Sequence, residues 1–157
     1  MDFLVMLGFI IAVNWFCLTL VWLTSLKIKD VGIVDIYWGI GFVIMAWACF
    51  LFNLQDNTSA ISQSQWLINI MVTIWGFRLT FHLTARNLGK EEDYRYAAMR
   101  KKSAGDFRIQ SYFRVFMFQG LLQILVITPV IAIHYYPSEF GLSIFHYLGL
   151  AVWLIGF

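Results

Sequence analysis

Apolar runs long enough to cross a bilayer, each closed by polar or charged residues, constrain this chain more than any other feature. Phe3 to Leu26 is apolar throughout apart from Asn14, Thr19, Thr24 and Ser25. A helix needs about 20 such residues to cross the hydrocarbon core, and inside lipid only a helix or a closed barrel satisfies its own backbone. Further runs follow at about 31–52, 65–86 and 111–134, and a fifth begins at 142–157. The sequence therefore predicts an all-α fold, a polytopic transmembrane helix bundle of about five helices in one membrane domain over residues 1–157. The fifth run is shorter than a span and carries no closing Lys or Arg. It reads as cut short, with the chain as the N-terminal part of a longer protein.

Composition agrees. The chain is 61% hydrophobic and 13% charged, against about 25% charged in a soluble domain. A net charge of +2 is too small for a nucleic-acid binder. Cys17 and Cys49 lie in separate apolar runs, with no CxxC and no Cys/His cluster, so no metal site is expected. Both read as packing residues. The N-terminus does not read as a signal peptide, because Asp2 stands where basic residues are needed.

Basic residues sort to alternate loops. Lys27 and Lys29 follow the first run, and a charged connection at about 87–110 follows the third. The loops at Asn53–Ser64 and Tyr135–Glu139 contain no Lys or Arg. The positive-inside rule places the basic loops in the cytoplasm and the N-terminus outside.

Polar residues converge at that cytoplasmic end. Asp35 lies one turn inside the second run, where a carboxylate is costly and must face protein or water. Trp38, Gly39, Phe42 and Ala46 follow on its face. The bland reading of Asp35 is an interfacial residue paired with Lys29 or an arginine. Arg78, His82 and Arg86 form an i, i+4, i+8 series near the end of the third run. They continue into Glu91, Glu92, Asp93, Arg95, Tyr96 and Arg100, with one short helix expected at Asp93 to Lys102. The series reads as the wall of a polar site, or more plainly as cations that complement a helix C-terminus. Ser111 and Arg114 open the fourth run at the same end. Ser111, Val115, Gln119 and Gln123 follow at i+4 steps, so two amides share a face and need partners in a helix or a ligand. Asn14, Cys17 and Val21 share a face of the first run, and Pro129 is expected to kink the fourth.

Three stretches carry a resemblance: VDIYWGIGF at Val34–Phe42, WGFRLTFHLTARNLGKEEDYRYAAMR at Trp75–Arg100, and FQG at Phe118–Gly120 with Pro129 following. Over about Lys27 to Pro129 the chain resembles a family of membrane proteins of unknown function related to steroid 5-alpha-reductases. That resemblance implies a multi-helix membrane oxidoreductase. Related enzymes use NADPH to reduce a carbon–carbon double bond conjugated to a carbonyl, here in a lipophilic enone such as a sterol or isoprenoid-like lipid. It also implies a C-terminal half with an Arg-His-Pro-Asn-Tyr type motif for the cofactor. That motif is not present, and His134-Tyr135-Tyr136-Pro137 is not a version of it. Position and chemistry make Asp35 and Tyr37 the catalytic candidates. Arg78, His82, Arg86, Arg95, Tyr96 and Gln119 are the candidates for cofactor binding, the arginines through phosphate oxygens. Two other readings stand beside this one: an S-adenosylmethionine-dependent membrane methyltransferase related to isoprenylcysteine carboxyl methyltransferases, and a non-catalytic scaffold in which Asp35 and the arginines form a structural ion-pair network.

Overall fold

The computed structural model describes residues 2–54, 61–87, 89–137 and 141–157. Parts of the two loops expected at Asn53–Ser64 and Tyr135–Glu139, and Leu88, lie outside the described residues. Among these residues six helices follow in order: α1 (Phe3–Ile28), α2 (Ile33–Leu54), α3 (Gln63–Asn87), α4 (Tyr94–Lys102), α5 (Phe107–Tyr135) and α6 (Ile144–Gly156). No strand occurs among the described residues. α1, α2, α3 and α5 are each long and apolar enough to cross a membrane.

Helix ends follow local chemistry. Asp2, Asp93 and Asp106 cap α1, α4 and α5, each accepting a hydrogen bond from a backbone N–H two residues on. The Asp106 cap starts α5 four residues before the apolar run at Ser111. Ser62 and Gln65 exchange hydrogen bonds at the start of α3, a reciprocal cap. α1 stops at Lys29, which takes the left-handed conformation at φ 58°. Gly89 takes φ 74° after α3, where glycine meets no Cβ penalty. Pro129 sits inside α5 without ending it. The less expected feature of α5 is a π-helical stretch at Tyr112–Met117.

α2 is the centre of the bundle, packed on α1, α3 and α5. Apolar contacts add little drive in lipid, so close packing has to hold the helices together. Gly39 of α2 meets Gly76 of α3 almost backbone to backbone: a Cβ placed on Gly76 would lie 2.6 Å from the Gly39 carbonyl oxygen. Thr80 adds a hydrogen bond to the Ile36 carbonyl at 3.3 Å. Around this crossing lie two buried clusters. One joins Met6, Ile10, Met45, Cys49, Ile127 and Ile131. The other joins Leu18, Val34, Tyr37, Val115 and Phe116 with Tyr96 of α4. Large apolar side chains cover the outside of α1, α3, α5 and α6, as lipid-facing helices require.

The two ends of the bundle hold different polar clusters. At the Asn53/Tyr135 end, His134 is buried between α2 and α3. Asn53 and Gln65 both donate to its carbonyl, at 2.8 and 3.1 Å. Its ring Nε2 lies 3.0 Å from Asn69 Oδ1, which can only accept, so Nε2 is the donor. At the opposite end lie α4 and the residues singled out in the sequence.

Candidate functional site

The site grows from the turn between α1 and α2. Asp30 Oδ1 accepts from Gly32 N at 2.8 Å, which shapes the turn and starts α2 at Ile33. Asp35 then falls in the first turn of α2, where a negative charge suits the helix dipole. α4 lies across this turn and is fixed to it twice. Glu92 accepts from Val31 N at 3.0 Å and from Arg100 Nη2 at 2.7 Å, while the Arg100 guanidinium stacks 4.5 Å from the Phe107 ring. Asp35 accepts from Tyr96 OH at 2.9 Å and from Arg95 Nη2 at 3.1 Å.

The pairing continues as one chain of hydrogen bonds. Trp38 Nε1–H donates to Gln119 Oε1, which fixes the amide so that its nitrogen faces the other way. Gln119 Nε2 donates to Tyr96 OH at 3.1 Å. Tyr96 donates to Asp35, and Arg95 bridges Asp35 to Asp93. Four elements, α2, α4, α5 and the loop before α4, thus meet through named polar atoms. The Asp35 side chain is 19% exposed, so its charge is partly withdrawn from water and held by two donors.

Electrostatics follow the same contacts. The Arg95 side chain holds the Asp93 carboxyl below its ordinary value, chiefly by hydrogen bonding. The hydrogen bond to Asp93, together with the charges of Asp35 and Asp93, raises Arg95 in return. Burial pushes the Tyr96 phenol up, and the Asp35 carboxylate pushes it further. Tyr96 is therefore a neutral hydroxyl donor across the physiological range.

This chain forms one wall of a cavity of about 560 Å³. Asp35, Trp38, Arg95, Tyr96 and Gln119 are its polar side. Leu79 and Leu83 of α3, Met99 of α4, and Phe118 and Leu122 of α5 are its apolar side, with Arg86 and Arg114 also in the lining. Its size is that of an ordinary small-molecule site. Arg114, Val115, Phe118 and Gln119 fall at i, i+1, i+4 and i+5 on one face of α5, and the π-helical stretch at Tyr112–Met117 lies beside them; such stretches recur at functional sites. Asp35 also borders a second hollow of about 420 Å³, lined by Asp30, Glu91, Glu92 and Asp93 among others. Among the described residues no group of His, Cys, Asp or Glu is arranged to hold a metal ion.

Of the residues named from the sequence, Asp35, Arg86, Arg95, Tyr96 and Gln119 line the cavity, and Tyr37, Arg78 and His82 do not. Among the described residues the buried Tyr37 hydroxyl has no hydrogen-bond partner. Arg78 and His82 lie on the exposed face of α3, where the Arg78 guanidinium sits 4.7 Å from the Phe157 ring. Gln119 finds partners in Trp38 and Tyr96, whereas among the described residues neither amide atom of the buried Gln123 has one. Asn14 donates to the Gly120 carbonyl at 3.2 Å. The apolar wall went unnamed in the sequence, although Leu79, Leu83 and Arg86 stand at i, i+4 and i+7 and so share a helix face.

Fold and site together define a helical membrane bundle with a half-polar, half-apolar cavity at one end. The chain belongs to the family described as a protein of unknown function, DUF1295, which matches over residues 21–157. No curated protein and no solved structure matches it.

Proposed function

We propose that this chain forms the substrate side of a membrane reductase of the steroid 5-alpha-reductase type, acting on a carbon–carbon double bond conjugated to a carbonyl in a lipophilic molecule. The observation that carries this reading is the Trp38–Gln119–Tyr96–Asp35 chain of hydrogen bonds against an apolar-walled cavity. An enone is apolar except at its oxygen. It fits one apolar wall and one hydroxyl donor.

In the reduction the carbon–carbon π bond breaks and two C–H bonds form. Hydride adds at the β carbon, and the electron pair moves to the carbonyl oxygen. A neutral donor fixed in place stabilises that oxygen most. Tyr96 fills this role, with its oxygen held by Gln119 and its hydroxyl turned from Asp35 to the substrate. The α carbon then takes a proton delivered through Tyr96 and Asp35. Tyr37 has no part in this scheme.

NADPH, oxidised to NADP⁺, would supply the hydride. The residues of this cavity do not fit a dinucleotide. Of the candidates, Arg95, Tyr96 and Gln119 are occupied by one another and by their neighbours, Arg78 and His82 lie elsewhere, and Arg86 is left as one cation for a molecule with several phosphates. The cavity is the substrate's, and other residues hold the cofactor. On the positive-inside reading of the lysines and arginines, its mouth opens to the cytoplasm.

The test is anaerobic NADPH oxidation by the protein in nanodiscs with a panel of lipophilic enones. Tyr96→Phe should lower turnover at least about 100-fold, the scale of a lost general acid, with little change in KM. No enone-dependent oxidation together with no NADPH binding would sink the reading. Binding of S-adenosylmethionine instead would put the methyltransferase in its place.

A further inference from the structure

The cavity has a feature that enone reduction does not use. Two of its lining residues are arginines that, among the described residues, close no salt bridge, although the Asp93 carboxylate feels the charge of Arg86 from further off. Among the described residues neither Arg86 nor Arg114 has a carboxylate within salt-bridge distance, whereas Arg95, Arg100 and Arg108 each do. The polar contact of Arg86 is a single hydrogen bond to the Asn87 side chain, at 3.3 Å. Both arginines are exposed, and they come from different helices, α3 and α5.

The apolar wall runs away from these two cations in matched steps. On α3, Leu83 and then Leu79 lie progressively deeper than Arg86. On α5, Phe118 and then Leu122 lie deeper than Arg114. At 1.5 Å per residue the stripe from Arg86 to Leu79 spans about 10 Å, and that from Arg114 to Leu122 about 12 Å. The lining therefore has a cationic rim, an apolar shaft about 10 Å deep, and the Tyr96–Asp35 chain on one side. A neutral sterol-like molecule leaves the rim unused. An anion without a tail leaves the shaft unused.

We infer that this cavity takes an amphiphile with an anionic head: a phosphate or carboxylate held between Arg86 and Arg114, and a hydrocarbon tail along Leu83, Leu79 and Leu122. Guanidinium forks suit such a head because each can offer two parallel N–H donors to two oxygens. The inference rests on the reading of this cavity as a substrate site. It narrows the substrate to an enone that also carries an anionic group, and it assigns the two arginines to substrate rather than to cofactor.

The experiment is equilibrium binding to the whole protein in nanodiscs of neutral lipid, read by tryptophan fluorescence, since Trp38 lines the cavity. The probes are dodecyl phosphate, dodecanol, inorganic phosphate and NADPH. Dodecyl phosphate should bind saturably. Arg86→Gln and Arg114→Gln should each weaken it about tenfold, which is 1.4 kcal/mol. Arg86→Lys and Arg114→Lys should restore much of the loss, which excludes misfolding as its cause. Arg108→Gln, outside the cavity, should change nothing. Dodecanol should bind more weakly and ignore both arginines, and inorganic phosphate should not compete at millimolar concentration. The inference is overturned if the glutamine variants bind dodecyl phosphate normally, if dodecanol binds equally well, or if inorganic phosphate displaces the alkyl chain. It is also overturned if the variants lose NADPH and keep dodecyl phosphate. None of these outcomes depends on turnover, so the reductase reading and the anionic-head inference can fail separately.

Discussion

The contact between Gly39 and Gly76 sets the spacing of α2 and α3, so Gly39→Ala is the most informative single change. A Cβ on Gly39 would lie 2.9 Å from the Thr80 backbone nitrogen and closer still to the Gly76 carbonyl oxygen, where ordinary contacts begin at 3.4 Å. Both obstacles are backbone, so no side chain can rotate away. α2 and α3 must part by about 1 Å, and a gap of that size forfeits a quarter to a half of each dispersion contact along the interface. The Thr80 to Ile36 hydrogen bond, already 3.3 Å, breaks as well. Overpacking of this kind costs about 1–3 kcal/mol. For a chain of this size that lowers Tm by about 2–12 °C. Gly8→Ala is the matched control, because a Cβ there meets nothing within 4 Å. Its melting should be unchanged or slightly raised. Thermal unfolding of both variants in one detergent gives the comparison. If Gly39→Ala melts with Gly8→Ala or above it, the crossing does not hold the bundle as argued. The same parting would move Leu79 and Leu83 away from Asp35 and Trp38, so Gly39→Ala should also weaken ligand binding without touching any lining residue.

Other expectations are more local. Lys29→Gly should raise stability by about 1 kcal/mol, because φ 58° costs a side chain that much and glycine nothing; a fall in Tm would show that the lysine side chain matters more than its backbone. His134→Ala should lower stability by at least about 1–3 kcal/mol, the cost of leaving Asn69 Oδ1 buried without a donor, with no effect on dodecyl phosphate binding at the other end of the bundle. Acidification should loosen α4. Asp93 is held below its ordinary value of 3.8 when folded, so its contribution is present above that value and is lost as pH falls through the lower folded value. Proteolysis after Arg100 and Lys101 should rise below about pH 4, and Asp93→Asn should remove that step.

The spanning helices were legible because a bilayer leaves so few alternatives: a run such as Phe3–Leu26 has to be helix. Asp35 was legible by its cost. The choice of Tyr37 beside it ignored the helical period, which turns a residue two positions on by about 200° and so away from Asp35. The partner was Tyr96, supplied from a charged connection that has no apolar pattern to announce a docking helix. Arg78, His82 and Arg86 separated for a related reason. Eight residues bring a helix about 80° out of line with its start, so Arg86 reaches the cavity while Arg78 lies against Phe157. The π-helical stretch of α5 left no mark in Tyr112–Met117, whereas Arg114 was legible at the polar end because it opens the fourth apolar run there. Gly39 and Gly41, having no side chain, each let a neighbour approach closely. The structure gives Gly39 to a backbone and Gly41 to the side chains of Tyr37 and Gln123.

The bond from Val31 N to Glu92 spans 61 positions of chain. During synthesis α1 and α2 leave the ribosome first, with the turn between them lacking its acceptor and Asp35 lacking both donors. Those partners arrive only after all of α3 has been made. The α1–α2 hairpin must therefore persist through that interval with a carboxylate and a backbone N–H unsatisfied near the membrane surface, and α4 acts as a late latch that closes it. The latch closes only once the chain through Arg100 has left the ribosome.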